Sequence, residues 1–406
     1  MRFRCTTGSG IPLNRNPLGR PDYDGTVTVY RDPVDGSVYD LTQPRWRSDV
    51  GRPLWIDPGS GLQPSEVHTT TRSLWRYRAA LPIDLQNPIS LGEGLTPLVE
   101  MSWSDEASVH FKLDFLNPTG SFKDRGSSVM LSYLRAHGIT SVVEDSSGNG
   151  GASIAGYGAA GGLDVKIVAP ASTKAGKIAQ IRAYGAEVEL VAGPREASQE
   201  AAIRQADGDV FYASHNWHAF FLQGTKTLAY ELWEDFNFQA PDNVIVPVGA
   251  GSSLLGCWLG FRELLTAGQI DRMPRLFAAQ PQNCSPVDAS FQANTDQPVD
   301  RDVLPTIAEG TAIAKPLRLV QIIHALRDSH GATVPVAEEA IIAALGQLAS
   351  RGVLVEPTSA TAAAAYTQLL STGTIVPTDQ TVVVLTGAGL KASSTVHELV
   401  TSQLHG

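Results

Sequence analysis

An α/β fold, with parallel sheets covered by helices on both faces, is predicted by two observations. The first is alternation: from Trp75 onward, short β-rich runs are separated by stretches of helical period. The second is the placement of glycines directly after several of these runs, where a strand must turn sharply into a helix. Ligands of such folds collect at the carboxyl ends of the strands, so the turns are the places to look for chemistry.

Taken in order, residues 1–70 are rich in Gly, Pro, Asp and Arg, with short strand-like pieces TVTVY and SVYDL, and form an N-terminal extension. The expected strands that follow are VHFKLDF, SVVED, VKIVAP, EVELVAG, DVFYAS, NVIVPVG, RLFAAQP and TVVVLTG, with helical patterns such as SSVMLSYLRAHG and KIAQIRAYGA between them. A chain of 406 residues can bury two cores. The expected division is a small domain over 101–210 and a large one built from 71–100 and 211–406.

Composition excludes several classes. With 43% hydrophobic and 18% charged residues the chain is globular, and a formal charge of -10 gives no basic footprint for nucleic acid and argues against anionic membranes. Cys5, Cys257 and Cys284 are an odd set without a CxxC pair, which speaks against a disulfide framework. Cys257 and Cys284 lie in apolar surroundings that suit buried thiols. The N-terminal stretch has basic residues but no apolar core of a secretory signal. The longest apolar run, Val244 to Phe261, is broken by Pro247, glycines and serines, as a strand, loop and helix would be. The expected location is the cytoplasm.

Four turns carry the chemistry. In NPTGSFKDRG, Pro118 and Gly120 make a turn, Ser121 is a candidate N-cap and Asp124 completes a capping box. Lys123 then sits in the first helical turn, where the positive end of the helix dipole disfavours its ammonium form. It reads either as a solvated lysine or as an amine nucleophile for Schiff-base chemistry. In DSSGNGGAS, backbone N–H groups of Ser146, Ser147, Gly148 and Gly150 form a carboxylate cradle, and Asn149 offers an amide to a phenolic oxygen. In VIVPVGAGSSLLG, Gly249, Ala250, Gly251, Ser252 and Ser253 precede a helix as a phosphate cradle. This loop partly mimics a dinucleotide fingerprint, so a nicotinamide cofactor is the alternative, although Leu254 stands where the third glycine belongs. In TVVVLTGAGLK, the hydroxyl of Thr386 faces the crevice at a strand end. An amine, a phosphate cradle, an amide and a hydroxyl together match pyridoxal phosphate.

The same motifs, with WRYRAALP, SLGEGLTPL, TIAEGTAIAKPLR and VEPTSATAAA, make the chain resemble the threonine synthase branch of fold type II pyridoxal-phosphate enzymes from Trp75 to Lys391. That resemblance implies a two-domain, tryptophan synthase β-like fold and a homodimer. It implies that Lys123 holds the cofactor, with Phe122 packed nearby, Asn149 on the phenolic oxygen and Thr386 on the ring nitrogen. Residues 249–253 would hold the phosphate, and Ser146 to Gly150 the substrate carboxylate. The reaction implied is elimination or replacement at Cβ or Cγ of a small L-amino acid.

The departures set further expectations. Phe221 falls where relatives carry an arginine for the substrate phosphate, leaving Lys174 and Lys177 as substitutes. A substrate without a dianion, as in serine or threonine dehydration, competes with phosphohomoserine; a non-catalytic cofactor-binding relative is the remote alternative. Gly150 replaces the threonine usual after the loop asparagine. RFRCTTGSGIPL and YRDPVDGSVYDL resemble a degraded zinc ribbon in which Gly8, Asp32 and Asp35 replace cysteines, so no metal is expected. Glu93 and Thr96 are candidates to close over substrate, and His215, Asn216 and His218 are read as surface residues or as lining the pocket mouth.

Overall fold

The computed structural model describes residues 28–173, 175–193, 195–206 and 208–404. Its elements are β1 (Val29–Arg31), β2 (Val38–Asp40), β3 (Leu98–Ser102), β4 (Ser108–Lys112), α1 (Lys123–Ala136), β5 (Ser141–Glu144), α2 (Asn149–Gly161), β6 (Asp164–Pro170), α3 (Ala175–Ala183), β7 (Glu187–Val191), α4 (Arg195–Gln205) and β8 (Val210–Tyr212). They continue with α5 (Ala219–Thr225), α6 (Thr227–Asp235), β9 (Asn243–Pro247), α7 (Ser252–Thr266), β10 (Arg275–Pro281), α8 (Pro286–Gln292), α9 (Leu319–Asp328), β11 (Ala332–Val336), α10 (Glu338–Ala349), α11 (Pro357–Ser371), β12 (Thr381–Val384) and α12 (Ser393–Leu404).

Two sheets organise the chain. The larger runs β11-β10-β9-β12-β4-β3, parallel except for the β3–β4 pair, and the smaller runs β7-β6-β5-β8, parallel throughout. Burial follows from this layering. All five residues of β9 and all four of β12 are buried, as central strands covered on both faces must be. All eight expected strands form.

The sheets cut the chain differently from the expected boundary near 101, which falls inside β3. Because β4 pairs in parallel with β12, with Val383 opposite Phe111, β3 and β4 belong to the larger sheet. The smaller sheet gathers residues 141–212, including β8.

One buried ion network fixes α1 against the larger sheet. Arg125 lies 2.6 Å from Asp114 and 2.8 Å from Glu231, and Lys112 lies 2.7 Å from Glu231; all four side chains are sealed from solvent. Glu231 also accepts the backbone N–H groups of Leu95 and Thr96. Burial opposes its ionisation, but the adjacent charges of Arg125 and Lys112 win and hold it well below the usual carboxylate range. Thr96 is therefore spent in this network, and Glu93 accepts from Ser128, Tyr157 and the Leu91 N–H, fully buried. Neither closes over a substrate.

In the N-terminal segment, Asp32 and Asp35 both hold the Arg52 guanidinium, the first at 2.8 Å. A cation of the chain itself thus occupies the corner where the resemblance places a ribbon metal; Cys5 and Gly8 lie outside the described residues. Cys257 and Cys284 are free, buried thiols. No helix among the described residues is long and apolar enough to cross a membrane.

Truncating Arg125 would strand the Asp114 and Glu231 carboxylates without their cation. Arg125→Ala should cost about 3–5 kcal/mol in chemical denaturation. A loss below about 1 kcal/mol would show that the network is not what seats α1.

Candidate active site

Three adjacent parallel strands of the larger sheet, β4, β12 and β9, deliver their carboxyl-end loops to one crevice. The turn after β12 is stitched to the segment before Lys123: the Phe122 N–H donates to the Thr386 carbonyl at 2.9 Å, and the Ala388 N–H to the Gly120 carbonyl at 3.0 Å. The start of α11 joins them, with the Glu356 N–H donating to the Gly387 carbonyl at 3.0 Å. Lys123 is thereby held at the base of the crevice.

Its local capping differs from the expected box. Ser121 does not cap α1 and its hydroxyl has no partner among the described residues. Asp124 instead turns back to accept the Thr119 N–H at 2.6 Å and the Thr119 and Ser153 hydroxyls at 2.5 and 2.6 Å. Three donors close by outcompete a single cap hydroxyl, and they tie α1 to the turn before it and to α2.

Lys123 is half-buried, its Nζ 4.8 Å from the centre of the Phe122 ring and 5.6 Å from that of Phe221. Burial lowers its pKa to about 7; the Glu144 and Glu356 carboxylates oppose the shift and the Arg195 guanidinium adds to it. The solvated-lysine reading therefore does not describe this side chain. Much of it is free amine at neutral pH, the form that attacks a carbonyl carbon.

The expected phosphate cradle opens at the start of α7. Gly251 has φ +85° at the N-cap, and a side chain there would run into Ile322; one on Gly249 would lie 2.9 Å from the Thr311 backbone. The 15-residue helix behind them turns its free N–H groups to this spot. Ser253 Oγ and both amide atoms of Gln223, on α5 packed against α7, have no protein partner among the described residues. A glycine-walled cup with an orphaned hydroxyl fits a phosphate ester.

Thr386 is buried, 3.2 Å from Ser359 Oγ, which itself accepts the N–H groups of Thr386 and Gly387 at 3.0 and 2.8 Å. Ser359 thus braces the turn that presents Thr386. Asn149 opens α2 and donates Nδ2 to both oxygens of Glu356 at 3.1 Å. Glu356 fills the space beside Gly387, which has no room for a Cβ.

The smaller sheet supplies the other wall through β5 and β8, which are neighbours. After β5 comes the loop with Ser146, Ser147 and Gly148; Gly151 belongs to it through a contact so close that an added Cβ would meet the Ser146 carbonyl at 1.8 Å. After β8, His215 and His218 are both buried. His218 packs among Tyr30, Tyr133, Phe211 and Phe220. His215 is placed by Glu144, at 2.6 Å.

Phe221 is fully buried, its ring pressed on Gly126, where a Cβ would lie 2.5 Å away. It is a wall beside Lys123, with no polar atom for a substrate. Lys174 and the side chain of Lys177 lie outside what the structure describes. A cation that sequence reading missed is Arg195, at the start of α4, whose charge acts on Lys123, Glu144, Asp145 and His215.

A half-buried amine and a glycine-walled cup at the ends of neighbouring strands, with a second parallel sheet opposite, are the parts of a cofactor-dependent enzyme. The chain belongs to the pyridoxal-phosphate-dependent enzyme family, whose model, described as pyridoxal-phosphate dependent enzyme, matches residues 89–387. Within the family it is threonine synthase-like. It is 34% identical over 330 residues to a threonine synthase of Methanocaldococcus jannaschii, covering 78% of this chain and 80% of that one. It is 32% identical over 339 residues to a threonine synthase of Mycobacterium tuberculosis, covering 80% and 92%. The fold is shared with an L-serine ammonia-lyase from the fungus Rhizomucor miehei, with TM-score 0.67 and 23% identity over 76% of this chain and 98% of that one.

In cofactor-free protein, reductive trapping of pyridoxal phosphate on Lys123 should rise with pH through a midpoint near 7, because the amine is freed as pH climbs past its lowered pKa. A midpoint near 10 would mean that Lys123 behaves as an ordinary exposed lysine.

Proposed function

We propose that this enzyme catalyses elimination or replacement at Cβ or Cγ of a small L-amino acid. The observation that carries the reading is Lys123, a half-buried, near-neutral amine where the turns after β4 and β12 and the start of α11 are stitched together. When bound, pyridoxal phosphate supplies the electron sink that makes the Cα proton removable. Lys123 binds it and afterwards takes and returns that proton. Gly249, Ala250, Gly251, Ser252 and Ser253 hold the phosphate, Thr386 meets the ring nitrogen, Asn149 the phenolic oxygen, and the loop from Ser146 to Gly150 the substrate carboxylate. Phe122 and Phe221 keep water from the lysine. The same reading includes a homodimer working in the cytoplasm, an expectation carried by the resemblance alone.

The buried Phe221 favours a substrate without a dianionic leaving group. Phosphohomoserine is the second reading, supported by the threonine synthase relatives and by the charge of Arg195 at the crevice.

Purified protein should show the absorption of a lysine Schiff base, lost in Lys123→Ala together with about 10²–10⁴-fold of turnover. Adding O-phospho-L-homoserine or L-serine, with phosphate and keto-acid release followed, decides between the two readings. Phosphate release with threonine formation selects the second. A colourless protein that pyridoxal phosphate does not reconstitute would end the proposal.

A further inference from the structure

The lysine, the cradle and the hydroxyl leave unused a pair of buried ionisable groups beside the crevice. Glu144 closes β5 and is fully buried; His215 follows β8 and is 6% exposed. Their contact is short, 2.6 Å from Nδ1 to the carboxylate, and the His215 backbone N–H reaches the other carboxylate oxygen at 3.2 Å. The imidazole is therefore fixed by two bonds to one acid. Its second nitrogen, Nε2, has no partner among the described residues and is not one of the sealed polar atoms. The ring stands over the first turn of α2: a Cβ on Gly150 would lie 2.7 Å from its Cε1 and Nδ1. It also faces Phe221, at 5.7 Å between ring centres, the same ring that walls Lys123. His215 thus borders the cradle on one side and the lysine's wall on the other.

We infer that His215 is a catalytic proton donor to the leaving group, with Glu144 as its positioning and proton-supplying partner, and that the enzyme's substrates carry a leaving oxygen that needs a proton. The inference rests on the proposed lyase reading. Lys123 takes the Cα proton; the carbon–oxygen bond breaks with its electron pair going to oxygen. That oxygen takes the proton from Nε2, while the Glu144 proton passes to Nδ1, leaving a carboxylate beside a neutral ring. Lys123 gives the Cα proton up to solvent, one proton from solvent restores the pair, and the net loss from the substrate is water or an alcohol. The electrostatics agree with this starting state. Burial raises Glu144 to about 8, against the His215 backbone N–H and the charges of Lys123 and Arg195, and burial with the charge of Lys123 keeps the ring neutral. Asp145, beside them, is itself raised by burial and by Glu144.

The test compares two substrates of the holoenzyme, L-serine, whose hydroxide must be protonated, and β-chloro-L-alanine, whose chloride leaves bare. His215→Asn and His215→Gln should lose about 10²-fold or more of turnover on serine while keeping chloroalanine elimination within a few-fold. Glu144→Gln should remove the fall of serine turnover above about pH 8. In cofactor-free protein labelled with ¹⁵N-histidine, the His215 ring should remain neutral at pH 6. Equal losses on both substrates in both variants, or no loss on serine, would overturn the inference, as would a ring that titrates near 6.5. Wild-type protein that binds pyridoxal phosphate but eliminates from neither substrate would sink the lyase reading, and the inference with it.

Discussion

The arrangement depends on the Arg125 guanidinium. It stands two residues after Lys123, sealed from water, and answers carboxylates from the segment after β4 and from α6 at once. A hydrophobic contact in its place could slide; two short ion pairs in a low dielectric cannot without leaving a charge unmatched. The first turn of α1 is therefore registered against the larger sheet, and the lysine inherits that register. In the proposed function this matters because the lysine would have to meet a cofactor whose phosphate is held elsewhere, at the start of α7.

The two layers divide the labour. Ends of β4, β12 and β9 give the lysine, the hydroxyl and the glycine-walled cup, all on neighbouring strands, the first two turns joined by backbone hydrogen bonds. Ends of β5 and β8 give the anion cradle and the histidine, neighbours in the other sheet. Contacts within each set are fixed by sheet register, whereas Asn149 and Glu356 meet across the crevice. Asn149, from the smaller sheet's side, is thus tied to the start of α11 on the larger one.

Much of this was legible in the sequence, because buried parallel strands read as apolar runs and their turns as glycines. Two strands escaped. β11 contains Pro335, which a central strand rejects and an edge strand tolerates, and it lies at the end of its sheet. β3 is half-exposed and its LVEMS carries a glutamate and a serine. The capping box failed for a different reason: local spacing says which donors an aspartate can reach within a turn, not that Ser153 from another helix will compete for it. His215 was read as a loop histidine because nothing near it in the chain marks a partner. The signal existed only in the pairing of β5 with β8, which brings the residue ending SVVE beside the residues following DVFYAS.

The tight fit of the His215 ring over Gly150 has an evolutionary consequence. A side chain at 150 would crowd the histidine ring at 215 as it stands, so a larger residue at the first position requires the second to move or shrink. Any chain of this architecture that has glycine at the first should be read for histidine at the second before its substrate is inferred from overall similarity.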